Sequence, residues 1–211
     1  MTEDGINISG WRGSRDGWLE AGYQALIESG VDGVKIMPLA KQLNLSRTSF
    51  YWFFDDREAL LAALLDGWAA RTTLPLIAAA RQYAETQAEA MLNVIGCFLS
   101  QETFDSRLEF AIRSWALRDE NVALRIKEAD ELRLAALTAM MQQWGHDQAA
   151  ADVRARTVYL VQIGYISMQA NEDLQTRLDR IPTYVEIYTG SPPEPREISR
   201  FNARFRDRVE R

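Results

Sequence analysis

The sequence predicts an all-α fold, in which a three-helix domain at the N-terminus precedes a larger helical bundle. Apolar residues recur at the three- and four-residue spacing of helices along most of the chain, and no run of length alternates with the two-residue period of a strand. The hydrophobic content of 47% is sufficient for a substantial core in 211 residues. A segment near residue 45 also places two brief helical patterns on either side of a tight turn.

The first three helices are predicted from their apolar patterns and their end signals. The first lies within residues 11–29 and ends at Gly30. The second covers residues 36–43, where Pro38 is tolerated because it lies in the first turn of the helix. The third covers residues 46–53.

The chain between the second and third helices is suited to a tight turn. Asn44 follows the last apolar residue of the second helix and tolerates the left-handed backbone conformation. Ser46 is placed to cap the third helix. Phe50, Phe53 and Phe54 are spaced for one inner face, which leaves polar and aromatic side chains for the others. This pattern predicts a helix-turn-helix, a motif that binds DNA through its second helix.

Six more helices are predicted after residue 55. A capping box formed by Asp55 and Glu58 is expected to start the fourth helix, and Pro75 is expected to kink or end it. The remaining apolar stripes predict helices within residues 84–101, 104–117, 119–144, 147–171 and 174–188, the last with a kink at Pro182.

Charge and residue usage narrow the functional class. The net charge of -6 argues against a protein that coats nucleic acid. Residues 11–57 hold six basic and six acidic residues, so any DNA binding needs a local basic patch. Cys97 and His146 are the single residues of their types, so neither a disulfide, a histidine-based metal site nor a Cys–His catalytic pair is expected. No cofactor motif, signal peptide or uncharged stretch of about 20 residues occurs, which favours a soluble cytoplasmic protein without membrane contact.

The helix predicted at 147–171 is apolar nearly all round between residues 158 and 168. A helix of this kind is buried on all sides, so one side is expected to face a second subunit. Gly164 and Ser167 would permit close helix approach across a two-fold axis. The expected homodimer interface, on segments 150–171 and 174–188, comprises Leu160, Gly164, Ser167, Met168, Ile181 and Val185.

The N-terminal residues resemble the DNA-binding domain of TetR-family transcriptional regulators. Asn44 stands where that family commonly has Gly, Phe53 where it commonly has His, and Arg57 where it commonly has Lys. Beyond residue 65 only the number and length of the helices match. The resemblance is carried by Trp18-Leu19-Glu20-Ala21-Gly22, Gly30, Leu39-Ala40, the run from Leu43 to Phe54, and Arg57-Glu58-Ala59-Leu60-Leu61.

The resemblance implies a homodimeric regulator, expected to be a repressor, that leaves a palindromic operator in double-stranded DNA when a small apolar or amphipathic effector binds inside the bundle. The implied domains are a helix-turn-helix domain at 1–55, a ligand-binding and dimerisation domain at 56–190, and an Arg-rich tail at 191–211 that is either loose or a peripheral helix. One alternative is a helix-turn-helix regulator controlled by a protein partner or by no ligand. An all-α enzyme is not expected, because paired carboxylates and His/Cys clusters form no clear constellation.

Eight residues are expected to contact DNA, with solvated side chains as the alternative. Arg47 can read guanine through a bidentate pair, and Thr48 and Ser49 can donate to phosphates. Tyr51 and Trp52 cannot both point into the core on so short a helix. Lys35 and Arg57 lie at helix starts, where backbone N–H groups also attract phosphate. The full set is Lys35, Ser46, Arg47, Thr48, Ser49, Tyr51, Trp52 and Arg57.

Large side chains of the bundle either form its core or line an effector pocket. An arginine turned into such a pocket would favour an anionic or carbonyl-bearing effector, whereas a solvated arginine would have no such role. The candidate pocket residues are Trp68, Phe98, Phe110, Arg113, Trp115 and Met141.

Overall fold

A computed structural model of the protein describes residues 13–170 and 172–206. Within these residues the chain forms ten α-helices, one short 3-10 helix and no strand, which confirms the all-α prediction. The chain divides into two compact units, Met1–Gly67 and Trp68–Arg211. The division lies within the fourth helix.

The first unit contains α1 (Arg15–Ser29), a 3-10 turn (Val31–Gly33), α2 (Ile36–Gln42), α3 (Arg47–Phe50) and the first part of α4 (Arg57–Arg81). Helix α3 is shorter than the predicted segment, because the chain after Phe50 continues as a turn. In that turn the Phe53 and Phe54 N–H groups both donate to the Phe50 carbonyl, at 2.9 and 3.1 Å.

Aromatic rings fill the core of the first unit. The fully buried ring of Phe50 meets Trp18 edge-on at 5.3 Å and stacks on Phe54 at 5.4 Å. The Tyr23 hydroxyl donates to the Leu64 carbonyl at 3.1 Å. Gly67 provides the space for this hydroxyl, since a Cβ there would lie only 1.8 Å from it. The core thus fixes α1, α3 and the start of α4 together.

Two expectations for α4 are corrected by the structure. Asp56 rather than Asp55 caps the helix, because its Oδ1 accepts a hydrogen bond from the Ala59 N–H at 2.8 Å. Pro75 does not end the helix, which continues to Arg81. The proline removes one helical hydrogen bond, but its neighbour Leu76 is fully buried, so packing holds the helix in place.

Helix α4 is long and apolar enough to cross a membrane by length and composition alone. Half of its apolar stretch is buried within the protein, including Leu60, Leu64 and Trp68. Burial of this kind is what the core helix of a globular protein shows.

The second unit is a helical bundle. It contains the rest of α4 with α5 (Gln87–Leu99), α6 (Ser106–Ala116), α7 (Glu120–Gln143), α8 (Gln148–Ser167), α9 (Leu174–Thr189) and α10 (Pro195–Ala203). Five of these helices begin at a side chain that accepts a hydrogen bond from the first turn, which explains their sharp starts. Helix α7 packs on α6 and α8, while α5 packs on α9 and α10.

The Arg-rich tail forms a peripheral helix where it is described. Phe201 and Phe205 lie one helical turn apart and are buried in the core of the second unit. Arg204 donates to Asn93 on α5 at 3.3 Å, and Arg200 pairs with Glu89 on the same helix. The tail is thus part of the bundle.

An ionic network lies inside the bundle, around Arg133 and Glu109, which are both completely buried. Arg133 donates to Glu109 at 2.9 Å, to Tyr159 at 2.8 Å, and to the hydroxyls of Thr72 and Thr73 at 2.7 and 3.0 Å. Its guanidinium also lies 5.2 Å from the ring centre of Trp68. Every donor direction of this cation is therefore occupied by an acceptor or an aromatic face.

The acids of the network are equally well paired. Trp68 Nε1 donates to Glu109 at 2.7 Å, and Arg113 bridges Glu109 to Asp130 at 2.9 and 2.6 Å. Burial raises the pKa of Glu109, but the two guanidinium groups outweigh this effect and hold the pKa below its usual value. The ionised carboxylate thus stabilises the fold at neutral pH, and this contribution is lost as acidification protonates it.

We predict that Arg133→Met lowers the free energy of unfolding by about 3–5 kcal/mol, because Glu109 is left charged and buried without its main partner. Lys127→Met on the same helix is the control. Lys127 is 71% exposed, and its ion pair with Glu131 is long, at 3.9 Å, and lies at the surface. That change should stay within about 0.5 kcal/mol. Urea unfolding followed by circular dichroism measures both, and equal small losses would contradict the role given to the network.

Candidate functional site

The turn between α2 and α3 has the geometry of a helix-turn-helix. Asn44 has a φ of 54°, in the left-handed region, as its position predicted. The Leu45 N–H donates to the Ala40 carbonyl at 2.8 Å and the Asn44 N–H to the Lys41 carbonyl at 3.1 Å. This pair of bonds is a Schellman motif, which satisfies the free carbonyls at the end of α2 and turns the chain sharply into α3.

Ser46 caps α3, as predicted. Its hydroxyl accepts a hydrogen bond from the Ser49 N–H at 3.3 Å and lies 3.0 Å from the Ser49 hydroxyl. The cap fixes where α3 begins, and with it the direction in which the side chains of Arg47 and Thr48 leave the helix.

Arg47, Tyr51 and Trp52 form an exposed surface, which we call the recognition surface. Tyr51 is 45% exposed and Trp52 is 61% exposed, so both aromatic rings reach the outside of the protein. Arg47 Nη2 donates to the Tyr51 hydroxyl at 3.0 Å, and its Cζ lies 5.7 Å from the ring centre. The phenol holds the guanidinium against α3 and limits the conformations that it would lose on binding.

The other predicted DNA contacts divide into two groups. Lys35, Ser46 and Thr48 are exposed, and Lys35 immediately precedes α2. Ser49 is only 7% exposed and lies against Ser46, which argues against the phosphate contact expected from the sequence. Its place on the inner side of α3 explains the difference.

Arg57 has a role that sequence reasoning missed. Its Nε donates to the Val34 carbonyl and its Nη2 to the Val31 carbonyl, both at 2.7 Å, and it pairs with Glu58 at 3.2 Å. The guanidinium therefore fastens the 3-10 turn to the start of α4. This arrangement favours a structural role over the phosphate contact expected from the sequence.

The candidate pocket residues of the bundle are mostly core. Trp68 and Arg113 belong to the ionic network, Trp115 and Met141 are buried, and Phe110 packs against the core. Phe98 alone among them lines the cavity that the bundle contains. Five of the six residues thus contribute to the core or to the network as the structure places them.

The cavity lies between α5, α8 and α9 and has a volume of about 50 Å³. Its walls include four polar side chains that sequence reasoning missed: Gln162, Tyr165, Arg177 and Tyr184. Helical spacing could have found two of them, because Arg177 and Tyr184 lie four and three residues from Ile181 on the same face of α9.

The residues predicted for the dimer interface fall into an exposed group and a buried group. Leu160, Ser167 and Met168 are exposed on α8, and open space surrounds the position that a Cβ of Gly164 would take. Ile181 and Val185 are only 3% and 0% exposed within the protomer, because they face its own core. Their burial places this part of the apolar stripe of α9 in the core of the protomer.

Comparison with known proteins agrees with this geometry. Residues 19–64 match the sequence profile of bacterial regulatory proteins, tetR family. This match covers α2, α3 and the turn between them, and it confirms the resemblance to the TetR family. No curated protein sequence matches the chain.

Solved structures share the fold at low sequence identity. GusR of Salmonella enterica is 19% identical, with a TM-score of 0.64 over 83% of this chain and 93% of that one. A putative TetR-family regulator of Mesorhizobium loti is 16% identical, with a TM-score of 0.62 over 90% and 95%. The fatty acid degradation regulator FadR of Bacillus halodurans is 13% identical, with a TM-score of 0.63 over 90% and 98%. The chain thus has the fold of TetR-family transcriptional regulators.

We predict that Arg57→Ala lowers the free energy of unfolding by about 1–3 kcal/mol, because it removes the guanidinium donor of the Val34 carbonyl and one of the two donors of the Val31 carbonyl, whose other donor is the Val34 N–H. Arg47→Ala serves as the control, since its guanidinium bonds only to an exposed phenol, and it should change stability by about 0.5 kcal/mol or less. Thermal unfolding of both variants gives the comparison. Unchanged stability for Arg57→Ala would restore the phosphate role expected from the sequence.

Proposed function

We propose that this protein is a cytoplasmic transcriptional repressor that binds a palindromic operator as a homodimer and leaves the DNA when a small effector occupies the bundle. The observation that carries the proposal is the recognition surface of Arg47, Tyr51 and Trp52 on a helix-turn-helix whose sequence matches the TetR profile. Both aromatic rings are exposed beside an arginine, and side chains of these types in this arrangement suit contact with the bases and backbone of a DNA groove.

Within this proposal the contacts to DNA have different roles. Arg47 reads a base, since its guanidinium can form a bidentate pair with guanine in the major groove. Lys35, Ser46 and Thr48 contact phosphates and set the register of α3 on the duplex. Tyr51 and Trp52 pack on the sugar-phosphate backbone or on a thymine methyl group. The domain is close to neutral, so these few groups supply most of the attraction to DNA.

The proposed dimer uses the outer face of α8. Val153, Leu160 and Met168 are 62%, 59% and 81% exposed, and they share that face with Gly164. Exposed apolar groups on one helix face support a protein contact. A two-fold axis would bring two recognition surfaces to half-sites about one turn of DNA, ~34 Å, or a multiple of it apart.

We predict that Arg47→Ala weakens binding to the preferred duplex by about 1–3 kcal/mol and relaxes the requirement at one base pair in each half-site. The duplex is obtained by selection from a random library, and affinity is measured by fluorescence anisotropy. Arg196→Ala is a control of equal charge change, because Arg196 is 66% exposed on α10. Equal weakening by both variants, with the base preference intact, would exclude base reading by Arg47.

We predict that Gly164→Arg gives a folded monomer without operator affinity. Within the protomer there is open space for the arginine side chain. A close contact between two copies of α8 across a two-fold axis would leave no space for it. Light scattering and circular dichroism measure mass and fold, and Ser199→Arg on the exposed side of α10 is the control. Wild-type protein that sediments as a monomer at micromolar concentration would overturn the dimer and the palindromic operator with it.

A further inference from the structure

The cavity between α5, α8 and α9 differs from the rest of the bundle in the state of its polar groups. In the core of the second unit the buried ion pair of Arg133 and Glu109 is fully hydrogen-bonded, with the charged groups 2.9 Å apart. At the cavity, three polar side chains that line it have no hydrogen-bond partner among the described residues. These side chains are Gln162 on α8, and Arg177 and Tyr188 on α9.

Gln162 is only 9% exposed, and its side-chain amide makes no hydrogen bond within the described part of the chain. The residue has lost most of its contact with water without gaining a hydrogen-bond partner for this amide, which favours a ligand that supplies one. The residue lines the cavity, so the missing partner can be supplied from there.

Arg177 presents a cation to the same space. Its Cζ lies 5.3 Å from the ring centre of Tyr165, and no carboxylate of the described residues pairs with it. Burial lowers the pKa of this guanidinium, and the attraction of Tyr165, Glu172 and Tyr184 offsets the effect only in part. Glu172 itself is ion-paired with Arg180. A half-buried guanidinium without an anion favours a ligand that brings one.

The other residues that line the cavity indicate the chemical character of the rest of the ligand. Apolar groups dominate them, among them Ile95, Phe98, Val158 and Ile181. The hydroxyls of Tyr165 and Tyr184 lie 3.0 Å apart at the polar end, where they add two further hydrogen-bonding groups. An apolar chamber with polar groups at one end is complementary to an amphipathic molecule.

We propose that this cavity binds a small amphipathic carboxylate, whose anionic group pairs with Arg177 and Gln162 and whose apolar body lies against Phe98 and Ile181. The guanidinium fork matches both carboxylate oxygens, which a neutral ligand of equal size cannot offer. This inference rests on the proposed function for its biological role, because it names the chemical class of the effector. The volume of about 50 Å³ is roughly a third of the ~150 Å³ that holds a benzene molecule in a protein core, so it favours a short aliphatic acid.

The test uses the full-length protein and matched pairs of probes. Propionate and butyrate are compared with propionamide and butyramide by calorimetry at pH 7, because each amide keeps the shape of its acid and removes the charge. The carboxylates should bind about tenfold more tightly than their amides. Equal affinity of acid and amide, or failure of both acids to bind at millimolar concentration, would overturn the proposal.

Substitutions of Arg177 test whether the carboxylate binds at this cavity. Arg177→Gln should abolish the preference for the acids and leave binding of the amides unchanged, whereas Arg196→Gln, a distant and exposed control, should leave both unchanged. Arg177→Lys retains the positive charge but lacks the paired N–H donors of the guanidinium, so it should give an intermediate preference for the acids. An intermediate result would show that the loss in Arg177→Gln is not caused by misfolding. A preference for acids that survives in Arg177→Gln would place the carboxylate elsewhere.

Operator affinity is scored separately from binding. If the acids bind through Arg177 and operator affinity does not change, the site assignment stands and the proposed effector role fails. If an uncharged compound releases the operator equally well from wild type and Arg177→Gln, the regulatory proposal stands and this assignment is wrong.

Discussion

The buried ion pair of Arg133 and Glu109 is the constraint on which the bundle depends. Neither charge could leave water alone, so each requires the other together with the acceptors and donors that surround them. These partners come from different helices: Thr72 from α4, Arg113 from α6 and Tyr159 from α8. Purely apolar contacts would tolerate sliding of one helix past another, whereas a satisfied ionic network loses several hydrogen bonds if any of its helices moves by a fraction of a turn.

Sequence reasoning succeeded where structure follows from neighbouring residues. The left-handed Asn44 and the cap by Ser46 are local events, so the turn of the helix-turn-helix could be predicted. The same holds for most helix bounds, which follow from apolar period and capping residues. The sequence predicted a kink or an end at Pro75, and the helix does not end there, because burial of its neighbour Leu76 in the core holds the helix past the proline.

The functional residues were harder to assign, because chemical type alone does not reveal which way a side chain is turned. Arg57 looks like a phosphate contact in sequence, yet its donors bind the Val31 and Val34 carbonyls, which lie more than twenty residues earlier. Ile181 and Val185 have the composition of an interface but face the protomer core. Glu109 and Arg133 each occupy a core position of a helical stripe, and this mismatch between charge and period was the available signal of the network.

The polar groups of the network around Arg133 and Glu109 are fully hydrogen-bonded, whereas those at the cavity between α5, α8 and α9 are not. The network shows that this chain can supply every partner of a buried charge, even when four helices must contribute. Gln162 and Arg177 lie on helices that could equally have carried an acceptor for them, and the space between them is open rather than filled. Polar groups that leave water without a partner lower stability, so an open cavity lined by such groups is better explained by a ligand than by the requirements of folding.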